Sequence, residues 1–118
     1  MTQHLYHLAL ESDWQAAVKA GSYEISTIGR TIAEEGFMHM SFAAQVDGVA
    51  SRYYRDVAEP LVLLRIDLTK VDGEIKLEVP PGASEAYPHL YGALNPAAVV
   101  AVTEYEVSPV GPDGASTG

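Results

Sequence analysis

Apolar and polar positions change their period several times along this chain, and each change marks an element. Leu5 to Leu10 is an apolar and aromatic run that predicts a first strand with His7 inside it. Ser12 and Gln15 then have the spacing of a capping box, and Trp14, Ala17 and Val18 share one face of the helix that follows. Gly21 is a natural stop for that helix. Tyr23 to Ile28 reads as extended or irregular, and Arg30 to Glu35 as a short helical turn ending at Gly36. Phe37 to Ser41 predicts a short strand carrying His39. Phe42, Val46, Val49, Ala50 and Tyr53 next recur at helical spacing, which predicts about three turns packed on a sheet.

The second half reads as strands. Leu61 to Ile66 is almost continuously apolar, the pattern of a central strand, with Pro60 at its entry. Ile75 to Val79 alternates and is closed by Pro80, Pro81 and Gly82. His89 to Leu94 is compact, Pro96 opens a helical turn after Asn95, and Ala98 to Val107 is the last strand. The order is β-α-β-α-β-β-β. It predicts a single α+β domain over residues 1–107, with a mostly antiparallel, split sheet and two main helices. Residues 108–118 are small, polar and contain Gly and Pro, which predicts a flexible C-terminal tail.

Composition narrows the chemistry. The 118 residues are 47 % hydrophobic and 19 % charged, a globular balance, and they include no cysteine. Disulfides, thiolate metal sites and a cysteine nucleophile are excluded. No stretch is long enough to span a bilayer, and Met1 to Leu10 has neither a basic n-region nor an apolar h-region, so no membrane role and a cytoplasmic location are expected. The net charge of −9 repels phosphate backbones, so nucleic acid is not an expected partner. Only seven Lys and Arg are present, with Arg52 and Arg55 the closest pair. They either serve a small anionic ligand or form a solvated helix face. The usual Gly-rich nucleotide loops, G-x-S-x-G and H-E-x-x-H are all absent.

Histidine is the residue type that carries the remaining options, because it exchanges protons near neutral pH and binds ligands or metals. His7 and His39 fall in predicted strands, and His89 follows Pro88. Each reads either as a satisfied core residue or as one wall of a shared cleft. Ser41 is either a hydroxyl beside His39 or the N-cap of the next helix. Tyr53 and Tyr54 read as core or surface aromatics, and Tyr91 as a pocket residue. Glu34, Glu35 and Glu78 read as solvated, Glu78 near a sheet edge.

Leu5 to Leu8, Glu35 to Ser41, Gln45-Val46, Arg52 to Tyr54, Leu61 to Asp67 and Pro88 to Gly92 together resemble the domain of unknown function 952 family. Its pattern runs Y-H, E-G-F-I-H-x-S, a strand ending I-D, then F-P-H-L-Y-G. Met38 replaces the usual Ile and Tyr87 the usual Phe. The resemblance implies a fold like that of the ADP-ribosyltransferases, nearest the RNA 2'-phosphotransferase branch, whose split sheet clamps NAD. It implies His7, His39 and His89 as catalytic residues around an NAD or nucleotide-phosphate ligand. Ser41, Arg52, Tyr53 and Tyr91 would be ligand-binding. Other ADP-ribosyltransferases commonly place Glu where His89 falls, which puts ordinary protein modification in doubt. NAD is the expected cofactor and no metal is expected. The alternative readings are a histidine-ligated metal site and a non-enzymatic ligand-binding domain. Oligomeric state, acceptor and pathway are left open.

Overall fold

The computed structural model describes residues 4–107, so the expected tail at 108–118 lies outside the described residues. Strand β1 (His4–Leu10) runs directly into helix α1 (Glu11–Ala20). The short strands β2 (Ile25–Thr27) and β3 (Arg30–Thr31) form a hairpin, followed by the single turn α2 (Ile32–Glu35) and β4 (Met38–His39). A 3-10 turn (Ala43–Gln45) leads into α3 (Val46–Tyr53). Strands β5 (Leu61–Asp67), β6 (Glu74–Glu78), β7 (Tyr87–Tyr91) and β8 (Val99–Tyr105) complete the fold.

The strands make two antiparallel three-stranded sheets, ordered β1-β5-β8 and β4-β7-β6. The two meet at one bridge, where Tyr6 and Ser41 exchange both backbone hydrogen bonds at 2.9 and 2.8 Å. The expected α+β class, antiparallel pairing and two main helices are therefore present. Leu61 to Asp67 is the middle strand of its sheet because both its faces are covered. Val62, Leu64 and Ile66 join Leu5, Ala9, Met38, Met40 and Leu90 in the main core. On the other face Leu61 packs with Leu8, Val46, Ala50 and Tyr54 of the α3 side. No described helix is long and apolar enough to cross a membrane.

Three local expectations change. Ser12 does not cap α1: the helix begins at Glu11, whose N–H is taken by the Pro60 carbonyl at 2.9 Å, so no side-chain cap is needed. The capping box is instead at Thr31 and Glu34, on α2. Ser41 is not a cap either, since its backbone is committed to Tyr6. In α3 the buried face is Val46, Ala50 and Tyr54, while Tyr53 is 58 % exposed, so the apolar stripe is one residue out of phase at its end. The eight-residue loop after β6 turns at Pro80 to Ala83 (3.0 Å), with Gly82 at φ 82°, a conformation that favours glycine.

Candidate functional site

A cleft of about 270 Å³ opens where the two sheets part. Its walls come from β1, the β2–β3 hairpin, α2, β4, α3 and the β6–β7 loop. Of the site residues that the resemblance implies, His7, His39, Ser41, Arg52 and Tyr53 line it. Thr27, Arg30, Glu35 and Tyr87 line it as well, and were not predicted there. The loop wall is held by Gln45, whose amide donates to Glu85 Oε1 and the Ala86 carbonyl, both at 2.9 Å, while its own oxygen accepts the Phe42 N–H.

His7 is 3 % exposed and both ring nitrogens are engaged. Nδ1 donates to the His39 carbonyl (2.5 Å), which can only accept, so Nε2 is the acceptor for the Tyr23 hydroxyl (2.9 Å). Burial lowers the His7 pKa to about 4, against the opposing effect of the His39 carbonyl. The ring is thus a neutral strut. It ties β1 to the end of β4 and fixes the backbone of His39.

His39 is half-buried, with Nε2 3.7 Å from Glu35 Oε1, and Glu35 also takes Arg30 at 2.8 Å. Burial lowers the His39 pKa and His89 adds to this, while Glu35 pulls the other way. Arg52 lies beside the Tyr53 and Tyr87 hydroxyls, which hold its guanidinium above its usual range. Among the described residues Arg52 makes no ion pair.

His89 and Tyr91 do not line the cleft, which corrects the expectation of three histidines opening on one space. Register explains it. His39 and His89 are direct partners across β4 and β7, so their side chains share a sheet face, with ring centres 5.0 Å apart. Phe37, however, lies stacked on the His89 ring at 4.1 Å and covers it. His89 Nδ1 contacts Glu78 Oε1 at 2.7 Å, and the Tyr91 hydroxyl donates to the same oxygen at 2.6 Å. Glu78 lies on the edge strand β6, as expected, and its half-exposed carboxylate is also the partner of a buried ring. Tyr91 first and His89 second hold its carboxyl below the usual range.

The same geometry bears on the metal alternative. With both His7 nitrogens in hydrogen bonds, the three histidines do not converge as ligands. No group of three or more His, Cys, Asp or Glu among the described residues is placed to hold a metal ion.

Residues 8–102 match the family described as protein of unknown function, DUF952. The chain belongs to that family. Protein CC0527 from Caulobacter crescentus is similar over nearly its whole length. Its crystal structure is 27 % identical, covers 95 % of this chain and 91 % of its own, and superposes with a TM-score of 0.74. A crystal structure of a double mutant of CC0527 gives the same values. Its solution NMR structure gives a TM-score of 0.70 over 94 % and 89 %. No curated protein matches the chain. Within this DUF952 domain the family motifs fall on the parts just described: E-G-F-M-H-M-S supplies Glu35, Phe37, His39 and Ser41, and Y-P-H-L-Y-G supplies Tyr87, His89 and Tyr91.

Proposed function

We propose that the cleft of this DUF952 domain binds a nucleotide ligand in the cytoplasm, with NAD the first molecule to offer it. The observation that supports this reading is the make-up of the walls. The guanidiniums of Arg30 and Arg52 share one cleft with Leu8, Met40, Val49 and the rings of Tyr53 and Tyr87. A ligand carrying both phosphates and a flat ring meets both kinds of wall. The net charge of −9 keeps long polyanions away, while a cleft of this size needs only one or two cations.

On this reading His39 and Ser41 face the ribose side of the ligand, and Glu35 sets the orientation of the His39 ring. His7 is a positioning residue that acts through the His39 backbone. Arg52 is the phosphate ligand, because Arg30 is already paired with Glu35. The resemblance to ADP-ribosyltransferases belongs to the same reading and adds transfer of the ADP-ribosyl group, which nicotinamide release measures.

Calorimetry with NAD, ADP-ribose and nicotinamide tests the binding. NAD and ADP-ribose are expected to bind saturably, and Arg52→Ala to weaken both roughly tenfold, the loss of one charge-assisted contact. An absence of heat with millimolar NAD and ADP-ribose sinks the reading.

A further inference from the structure

The cleft holds two arginines, and they are not equivalent. Arg52 stands on α3 beside the Tyr53 and Tyr87 hydroxyls and makes no ion pair among the described residues. Arg30 stands on β3, and its Nη1 donates to Glu35 Oε2 at 2.8 Å. The turn between those two residues fixes the pair. Thr31 and Glu34 close a capping box at the start of α2, and Gly36 ends the turn at φ 92°, its N–H bonded to the Ile32 carbonyl at 2.6 Å. Arg30 and Glu35 flank this closed turn, so the chain itself brings guanidinium and carboxylate to one wall. The other carboxylate oxygen, Oε1, lies 3.7 Å from His39 Nε2. Burial and the neighbouring His89 lower the His39 pKa, so at neutral pH that ring adds no charge of its own.

Charge in the cleft is therefore uneven. One cation is free, the other is neutralised, and the neutralising carboxylate also lines the cleft. A phosphate placed on Arg52 meets an unopposed guanidinium. A phosphate placed on Arg30 meets the Glu35 carboxylate as well, whose side chain is 25 % exposed and only partly screened by water. At that range the repulsion offsets the attraction of Arg30. Space points the same way. The cleft volume of about 270 Å³ lies below the roughly 300–1,000 Å³ of pockets that enclose a whole drug-sized ligand.

We propose that Glu35 is the specificity-determining residue of the cleft, and that by neutralising Arg30 it restricts the cleft to a single phosphate group and its nucleoside. NAD then enters by one half, with that phosphate on Arg52, while its second phosphate and nucleoside stay outside. The proposal rests on the nucleotide-binding reading and adds the size and charge of the ligand that the site selects.

Calorimetry with NAD and its two halves, AMP and nicotinamide mononucleotide, tests it. In the unchanged protein the better-bound half is expected to match NAD to within about threefold, because the second phosphate finds no free cation. Glu35→Gln keeps an oxygen that holds Arg30 in place and removes the negative charge. In that variant NAD is expected to gain roughly tenfold over the same half, the worth of one charge-assisted contact. The ratio is the readout, since a change in His39 or in folding alters both ligands alike. Arg30→Gln combined with Glu35→Gln takes the released cation away and is expected to return the ratio to that of the unchanged protein.

NAD binding roughly tenfold or more tighter than both halves in the unchanged protein overturns the single-phosphate limit and leaves the cleft reading standing. A ratio that Glu35→Gln does not move overturns the role of Glu35, as does a gain that survives the loss of Arg30. No heat from NAD, ADP-ribose or either half overturns both readings.

Discussion

His7 and His89 are two histidines buried to the same depth, one on each of the two sheets, and their surroundings treat them in opposite ways. His7 spends both nitrogens inside the protein, on a carbonyl and a tyrosine hydroxyl. His89 spends one, on a carboxylate that Tyr91 shares, and keeps the other. Depth alone therefore does not separate a structural histidine from a functional one. What separates these two is the count of satisfied nitrogens: the paired ones of His7 stabilise the fold, whereas the unpaired one of His89 costs it stability.

Removing each ring breaks the comparison in the sharpest way. His7→Ala strands the Tyr23 hydroxyl and the His39 carbonyl and leaves a hole beside Leu64, its partner on β5. Chemical denaturation is expected to show a loss of about 3 kcal/mol or more. Acid comes next. His7 titrates near 6.5 when unfolded and near 4 when folded. As pH falls through that window the unfolded chain takes up a proton that the folded one refuses. The stability from this group is complete above 6.5 and gone below 4, a swing of about 3 kcal/mol. The difference in stability between pH 7 and pH 4 should shrink in His7→Ala by about that amount; an equal difference in the two proteins removes His7 as the acid-sensitive strut. His89→Leu is the smallest effect. It removes the unpaired nitrogen, keeps a side chain under Phe37 and leaves Glu78 bonded to Tyr91, so stability is expected to change by about 1 kcal/mol or less. A loss as large as that of His7→Ala would mean that both rings are structural.

Periodicity made the larger pieces legible. β1 and β5 stand out because both their faces are covered and their apolar runs are nearly unbroken, and Tyr6-His7 and His39 were visible inside strands. β7 was harder to see from Tyr87 onward, since Pro88 argues against a middle strand. It is accommodated where β4 has ended, with its carbonyl accepting the Met40 N–H at 3.0 Å. The β2–β3 hairpin is too short to carry an alternating pattern. That hairpin and the turn after it bring Thr27, Arg30 and Glu35 to the cleft, so their part in it was hidden, and Arg30 and Glu35 read as an ordinary solvated turn. Glu78 misled for a related reason: alternation shows that it points away from Ile75 and Leu77, but only the register against Tyr87 to Tyr91 places a buried imidazole beside it.

The register also sets the order in which chain closure is paid. β6 and β7 pair across one short loop, Glu78 opposite Tyr87, whereas β1 must find β5 with His4 opposite Asp67. Closing the second loop restrains far more chain before any ladder bond rewards it. The local hairpin brings Glu78, His89 and Tyr91 together across one short loop, whereas the strut at His7 closes longer loops, to Tyr23 and to His39.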